Sequence, residues 1–341
     1  MRSIARLPKA HLHLHFTGSL RVQTLHQLAA EHELRLPESF RGEWPPTLSA
    51  ADERGWFRFQ RLYDAARACV QEEADLRRLV REAVQDDAAE GSRWLEIQVD
   101  PTSYAGRLGG ISPTLEIVLD EAATAGAQFG VGVGVIVAAS RMRHPFEART
   151  LARLAAKYAG TASGTVIGFG LSNDERRGDT SEFAPAFHIA RSAGLASVPH
   201  AGELLGPQAV SETLDSLLPD RLGHGVRAVE STAVLDRALD AGVAFEVCPG
   251  SNVALGVYPD PADVPLRRLF DAGAQIALGA DDPLLFGNRL VAQYASARED
   301  HGFTDAELAE LARRSLHASR APTELKRAAL LDIDAWLAEP A

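Results

Sequence analysis

The stretch Ala10-His11-Leu12-His13-Leu14-His15-Phe16 decides how the rest of this chain is read. Successive side chains of an extended strand point to opposite faces, so the alternation puts three imidazoles on one side of a strand. Such a strand can offer two nitrogens to one metal. Seven further apolar runs follow, at residues 94–99, 131–138, 166–171, 195–198, 221–223, 243–247 and 275–278. Several are nearly continuous Val, Ile, Leu and Gly, the pattern of parallel strands covered on both faces. Between them lie stretches with helical spacing, such as 76–88, 115–125, 148–158, 232–241 and 266–272, several ending near glycine. Strand and helix alternating eight times predict one closed (β/α)8 TIM barrel, α/β in class, over 1–341. A long insertion of about residues 21–93 follows the first strand and carries Trp56-Phe57-Arg58-Phe59; it is expected to cap the barrel mouth. The same aromatics would also serve as ordinary helix core. From Thr304, with Asp305 and Glu307 in the first turn, the tail reads as closing helices.

Composition narrows the function. The 341 residues are 46% hydrophobic and 24% charged, values of a globular chain with a substantial core. No apolar run is long enough to span a bilayer, and Met1-Arg2-Ser3 opens no signal-peptide pattern, so a cytoplasmic protein without membrane contact is expected. Cys69 and Cys248, far apart, argue against a disulfide framework and exclude cysteine-based structural zinc, which leaves His and carboxylate for any metal. A net charge of -11 disfavours a nucleic-acid partner and favours a small molecule.

Active sites of this fold lie at the C-terminal ends of the strands, and the chemistry-bearing residues fall there. His13 and His15 close the first strand. His200-Ala201-Gly202-Glu203 follows the fifth, Arg221-Leu222-Gly223-His224-Gly225 the sixth, and Ala280-Asp281-Asp282-Pro283 the eighth. Adjacent carboxylates need a reason, and a metal supplies one. His13, His15, His200 and Asp281 form a nitrogen and oxygen set suited to one Zn²⁺ with room for water. Such a metal lowers the pKa of its water to about 7. Glu203, His224 and Asp282 remain for acid and base work.

These motifs resemble the adenosine and AMP deaminase family of zinc-dependent barrel hydrolases over nearly the whole length. The matching residues are Pro8-Lys9-Ala10-His11-Leu12-His13-Leu14-His15, Leu171-Ser172-Asn173-Asp174-Glu175, His200-Ala201-Gly202-Glu203, Leu222-Gly223-His224-Gly225, Cys248-Pro249-Gly250-Ser251-Asn252 and Asp281-Asp282-Pro283. The resemblance implies zinc on His13, His15, His200 and Asp281, and Glu203 as proton donor to purine N1. It implies that His224 orients and deprotonates the attacking water, that Asp282 contacts N7, and that the Asn173 backbone approaches N3. Both Glu203 and Asp282 would then need raised pKa values.

Departures from the pattern bear on the substrate. Thr17 stands where adenosine deaminases usually carry the Asp that receives the ribose 5'-hydroxyl, and Gln98 where members often have Arg. The stretch 52–63 resembles the branch that deaminates 6-amino-6-deoxyfutalosine in menaquinone biosynthesis, whose substrate carries an aromatic 5' extension. Trp56, Phe57 and Phe59 would wall that extension, and Arg58 or Arg61 would meet its carboxylate. The expected substrate is that nucleoside or adenosine, with adenine or another aminopurine as the alternative. A two-metal hydrolase on the same barrel would want a modified lysine at the fourth strand end, where 166–171 carries none and Lys157 lies in a helical stretch. A non-catalytic metal-binding barrel would need no acid beside the metal.

Overall fold

The fold is taken from a computed structural model that describes residues 1–48 and 52–340. Residues 49–51, within the expected insertion, lie outside that description. Eight parallel strands form one sheet in sequence order: β1 Lys9–His15, β2 Ser92–Val99, β3 Gly132–Ser140, β4 Thr165–Ser172, β5 Ala196–Ala201, β6 Arg221–His224, β7 Ala244–Val247 and β8 Ile276–Leu278. Each overlaps one of the expected apolar runs. Leu14 and Asp281 bridge in parallel, and the His15 N–H to Asp281 carbonyl (2.9 Å) and Asp281 N–H to His13 carbonyl (3.0 Å) bonds join β1 to the segment after β8. The barrel therefore closes through the residues that carry its candidate metal ligands.

The continuous apolar runs make sense because the strands are covered on both faces. Val133, Val135 and Val137 of β3 and Val166, Phe169 and Leu171 of β4 are all fully buried. A buried side chain of this size contributes about 1.5–3 kcal/mol, so strands of this composition cannot be left at an edge. The floor of the barrel is ionic. Arg221 on β6 pairs with Glu96 on β2 and, at 2.6 Å, with Glu246 on β7, all three buried.

The first crossover divides into two parts. Helix α1 (Val22–Glu31) and helix α2 (Glu53–Ala68) precede helix α3 (Glu73–Ala89), which packs against β2 and the helix Ile111–Phe129. By its packing α3 completes the first β/α unit, because its apolar stripe, Leu76, Leu79, Val80, Ala83 and Val84, is buried against the barrel. Only the part before it, with α2, lines the mouth.

One local expectation fails. His11, His13 and His15 do not share a face, because the register of β1 against β2 shifts between His11 and Leu14. His11 turns to Asp87 of α3 (2.8 Å), away from the other two imidazoles. At the C-terminus, Thr304 and Glu307 form a reciprocal capping box on the helix Asp305–Ala318. Ser315 of that helix accepts the Ala10 N–H (3.0 Å), and Trp336 of the last helix, Thr323–Ala338, donates to the Ser3 carbonyl (2.9 Å). Among the described residues no helix is long and apolar enough to cross a membrane.

Candidate active site

At the C-terminal ends of β1, β5 and β8 four side chains converge. His15 Nε2 lies 3.1 Å from His200 Nε2 and 3.2 Å from Asp281 Oδ1, and His13 Nε2 lies 3.5 Å from the same oxygen. Separations of ~3.3 Å are the edges of a tetrahedron of donors each ~2 Å from one centre. The tautomers agree with that geometry. His13 donates from Nδ1 to Glu246 (2.7 Å) and His200 from Nδ1 to the Leu171 carbonyl (3.1 Å), which turns both Nε2 lone pairs inward. Among the described residues the buried His13 Nε2 has no hydrogen-bond partner. Three imidazole nitrogens and a carboxylate oxygen gathered this closely are what a cation placed between them would hold.

The electrostatics ask for that charge. Burial works against a charge on His13, yet the neighbouring carboxylates of Asp281 and Glu246, the latter accepting its Nδ1–H, outweigh it and raise its pKa to about 10. Burial also opposes the Asp281 charge, but bonds to His13 and His15 hold its carboxyl well below the usual range. His200 is driven well below the usual imidazole value by burial and then by its histidine neighbours. The residues present therefore fit a divalent cation with nitrogen and oxygen ligands, Zn²⁺ by donor type.

Beside this cluster stand the acid and base candidates. His224 Nε2 is 3.5 Å from Glu203 Oε1 and 3.8 Å from Asp281 Oδ2. Burial takes His224 down to about 3 against the pull of Asp281, so its imidazole is neutral. Burial, then the negative charges of Asp281 and Glu175, push the Glu203 carboxyl well above its usual range. Asp282 is raised in the same way, by burial first and Asp281 second, and its Oδ1 has no partner among the described residues. Three residues here, Asn173 (φ 81°), His224 (φ 65°) and Asp281 (φ 60°), hold left-handed backbone that non-glycine residues rarely adopt.

The cavity has two connected parts. A deep part of about 70 Å³ is lined by His15, His200, Glu203, His224, Asp281 and Asp282, and by Phe59, Leu255 and Ser172. An outer part of about 350 Å³ adds Thr17, Phe57, Gln98, Tyr104 and Met142. Trp56, Gln60, Tyr63, Arg67 and Asn173 border both. Helix periodicity explains the choice: Trp56, Phe59, Gln60, Tyr63 and Arg67 fall on one face of α2. Phe59 stacks on Phe286, with ring centroids 5.9 Å apart and 7° between planes. Arg58 and Arg61 lie on the opposite face, in a separate depression with Pro37, Glu38 and Thr47. The expectation that either meets the 5' side of a substrate is thereby corrected, and Arg67 is the α2 arginine that faces the cavity. Thr17 is buried with its hydroxyl on the Tyr104 hydroxyl (2.6 Å), a wall of the outer part.

Sequence reasoning missed three residues. Glu246 orients His13, Glu175 binds the loop that carries Glu203, and Asn252 Nδ2 lies 3.4 Å from His224 Nδ1. Glu175 and Asn252 sit inside the motifs quoted above; Glu246 had only its place in an apolar strand to mark it.

The family model described as Adenosine deaminase matches residues 8–336. The chain belongs to the adenosine deaminase family. Membership makes it a hydrolase acting on carbon–nitrogen bonds. A Streptomyces coelicolor protein provisionally named an adenosine/adenine deaminase is 62% identical, over 99% of this chain and 98% of its own. An adenine deaminase of Rhizobium leguminosarum is 34% identical over 95% of this chain and 98% of its own. Among solved structures, the adenine deaminase from Arthrobacter aurescens superposes with a TM-score of 0.88 at 30% identity, covering 97% of this chain and 99% of that one.

Proposed function

We propose that this member of the adenosine deaminase family removes the 6-amino group of an adenine nucleoside, with Zn²⁺ held by His13, His15, His200 and Asp281. The nucleoside is 6-amino-6-deoxyfutalosine, of menaquinone biosynthesis, or adenosine. The observation that carries this reading is the meeting of Glu203 and His224, 3.5 Å apart, beside the His/Asp cluster and at the inner end of a cavity that continues outward. When bound, the cation supplies Lewis acidity that makes water nucleophilic near neutral pH.

The chain's own residues do the rest. Glu203, its carboxyl raised well above the usual range, gives its proton to purine N1 as water adds to C6, so that negative charge never builds on the ring. The proton that His224 takes from the water then passes to the departing amino group, and the C6 hydroxyl returns its proton to Glu203. Collapse of the tetrahedral carbon thereby breaks the C6–N6 bond, releases ammonia and leaves a 6-oxo purine. His224, neutral and fixed beside Glu203, orients the attacking water and accepts its proton. Asp282, protonated and with a free oxygen, donates to N7, which can only accept. The left-handed turn at Asn173 brings backbone toward N3. Phe59 stacks at the deep part, while Trp56, Phe57 and Thr17 border the space beyond N9.

The outer cavity of about 350 Å³ supports a substituted purine, since free adenine would leave it to water. A second reading, adenine itself, is favoured by the names of the Rhizobium and Arthrobacter relatives. Ammonia release separates them: kcat/KM for adenine, adenosine and 6-amino-6-deoxyfutalosine is measured on zinc-loaded protein. A nucleoside preference is expected; a clear preference for adenine overturns the nucleoside reading, and no release from any aminopurine overturns the whole.

A further inference from the structure

Just past β4, one carboxylate gathers four consecutive backbone N–H groups. Glu175 Oε1 accepts from Gly202 (2.6 Å), and Oε2 accepts from Glu203 (3.1 Å), Leu204 (2.7 Å) and Leu205 (2.9 Å). A change of backbone hand turns successive N–H groups to one side, and Gly202 supplies one with φ 72°. The Glu175 side chain is buried, and so is Arg141, whose charge acts on it and whose Nη2 donates to the His200 carbonyl (2.8 Å). On the other side the Arg227 N–H ties down the Gly202 carbonyl (2.9 Å). The loop that follows the candidate metal ligand His200 is thus fixed by one side chain from the neighbouring strand end.

We infer that Glu175 is the positioning residue of the proton donor: by clamping the N–H groups of residues 202–205 it sets where the Glu203 carboxyl stands relative to His224. This rests on the reading of Glu203 given above. A carboxylate is the side chain such a cradle needs, because all four of its partners are donors and an ionised carboxyl offers about four acceptor positions. A glutamine presents an amide NH₂ to one side of the cradle, so donor faces donor whichever way it turns. The loop must then shift, and with it Glu203. Small displacements of a catalytic group cost about 100-fold in rate.

The test compares wild type, E175Q, E203Q and the double variant, all zinc-loaded, with the nucleoside that wild type turns over best. For E175Q, kcat should fall about 100-fold while KM stays within about threefold and zinc per chain is unchanged. In the E203Q background, followed by residual ammonia release over hours, the same substitution should cost less than about threefold, since residues acting as a unit are not additive. Should E175Q not fold, E175D keeps the charge but withdraws it by one methylene, and the same contrast applies with a loss of about tenfold. The inference is overturned if a folded variant keeps kcat within about threefold of wild type, if KM carries the loss, or if the loss is equally large beside E203Q. It is also overturned if neither variant folds, since Glu175 is then scaffold. A wild-type kcat in E203Q alone instead overturns the role given to Glu203.

Discussion

A Cβ on Gly18 would lie 1.7 Å from Oδ1 of Asp282 and 2.7 Å from its Cα. The turn after β1 therefore leans directly on the carboxyl proposed to read N7, and hydrogen is the only substituent that fits. In G18A both the Asp282 side chain and its backbone must move, taking the neighbouring Asp281 with them. We expect kcat/KM to drop by about 100-fold or more, with zinc retention reduced as well. Steady-state kinetics and metal analysis of G18A check this; near-normal kinetics would mean that the turn yields easily.

Glu246 links the candidate metal cluster to the ionic floor. One of its oxygens accepts from His13 (2.7 Å) and the other from Arg221 (2.6 Å). E246Q should weaken zinc binding by about 10- to 100-fold, because the amide has one acceptor oxygen for both His13 and Arg221 and no charge, so the hold on the His13 tautomer is weakened. Competition with a chelator of known affinity measures it. R221M should be worse for stability, about 3–5 kcal/mol, since Glu96 and Glu246 would stay buried without their cation. Denaturant unfolding of the two variants separates the effects.

Asn252 faces Nδ1 of His224 at 3.4 Å, so the turn of its amide bears on which nitrogen of His224 is basic. Its Nδ2–H against Nδ1, the orientation recorded at 3.4 Å, leaves the proton on Nε2, whereas its Oδ1 in that position leaves Nε2 free to take a proton from water. Oδ1 has no partner among the described residues, so the turned amide is open to it. Aspartate can only accept from Nδ1–H, and leucine does neither. If His224 acts as a base, N252D should keep kcat at least about tenfold above N252L. The reverse order would make His224 a donor that only orients water.

The pH dependence follows from Glu203. Its carboxyl is pushed well above the usual range by burial and then by Asp281 and Glu175, and in the proposed role the protonated form is the active one. Rate is therefore full below the Glu203 pKa and lost as pH rises through it, an alkaline limb on kcat. E203Q cannot titrate there, so its residual kcat should lack that limb. A profile that matches wild type would remove Glu203 from the proton-donor role.

The strands were legible in the sequence because burial on both faces leaves an unbroken apolar run, and the candidate ligands because they sit where those runs stop. Arg221, Glu96 and Glu246 were opaque. Charges inside short strands read as solvent-facing, and only the closed barrel brings their three strands round one axis. His11 was misplaced because a register shift in β1 breaks the alternation that strand geometry otherwise imposes. The left-handed backbone at Asn173, His224 and Asp281 carries only a weak mark, since Asn, His and Asp enter that region more readily than other non-glycine residues but adopt ordinary backbone far more often. The resemblance of residues 52–63 does not distinguish the faces of α2, and helix periodicity turns Arg58 and Arg61 away from the cavity.

Periodicity also separates the two parts of the cavity, and that gives the last prediction. Phe57 borders the outer part alone and is 66% exposed, whereas Phe59 borders the deep part and is 6% exposed. Removing the Phe57 ring should therefore leave the purine site intact and weaken only what extends beyond N9. With an aryl-extended 5' substituent, F57A should lose about tenfold in kcat/KM, the contribution of one partly exposed aromatic contact, and with adenine about nothing. F59A should lose on both, because its ring stacks on Phe286 and closes the deep part. Equal losses of F57A on adenine and on the extended nucleoside would mean that the outer space is not where the substituent lies.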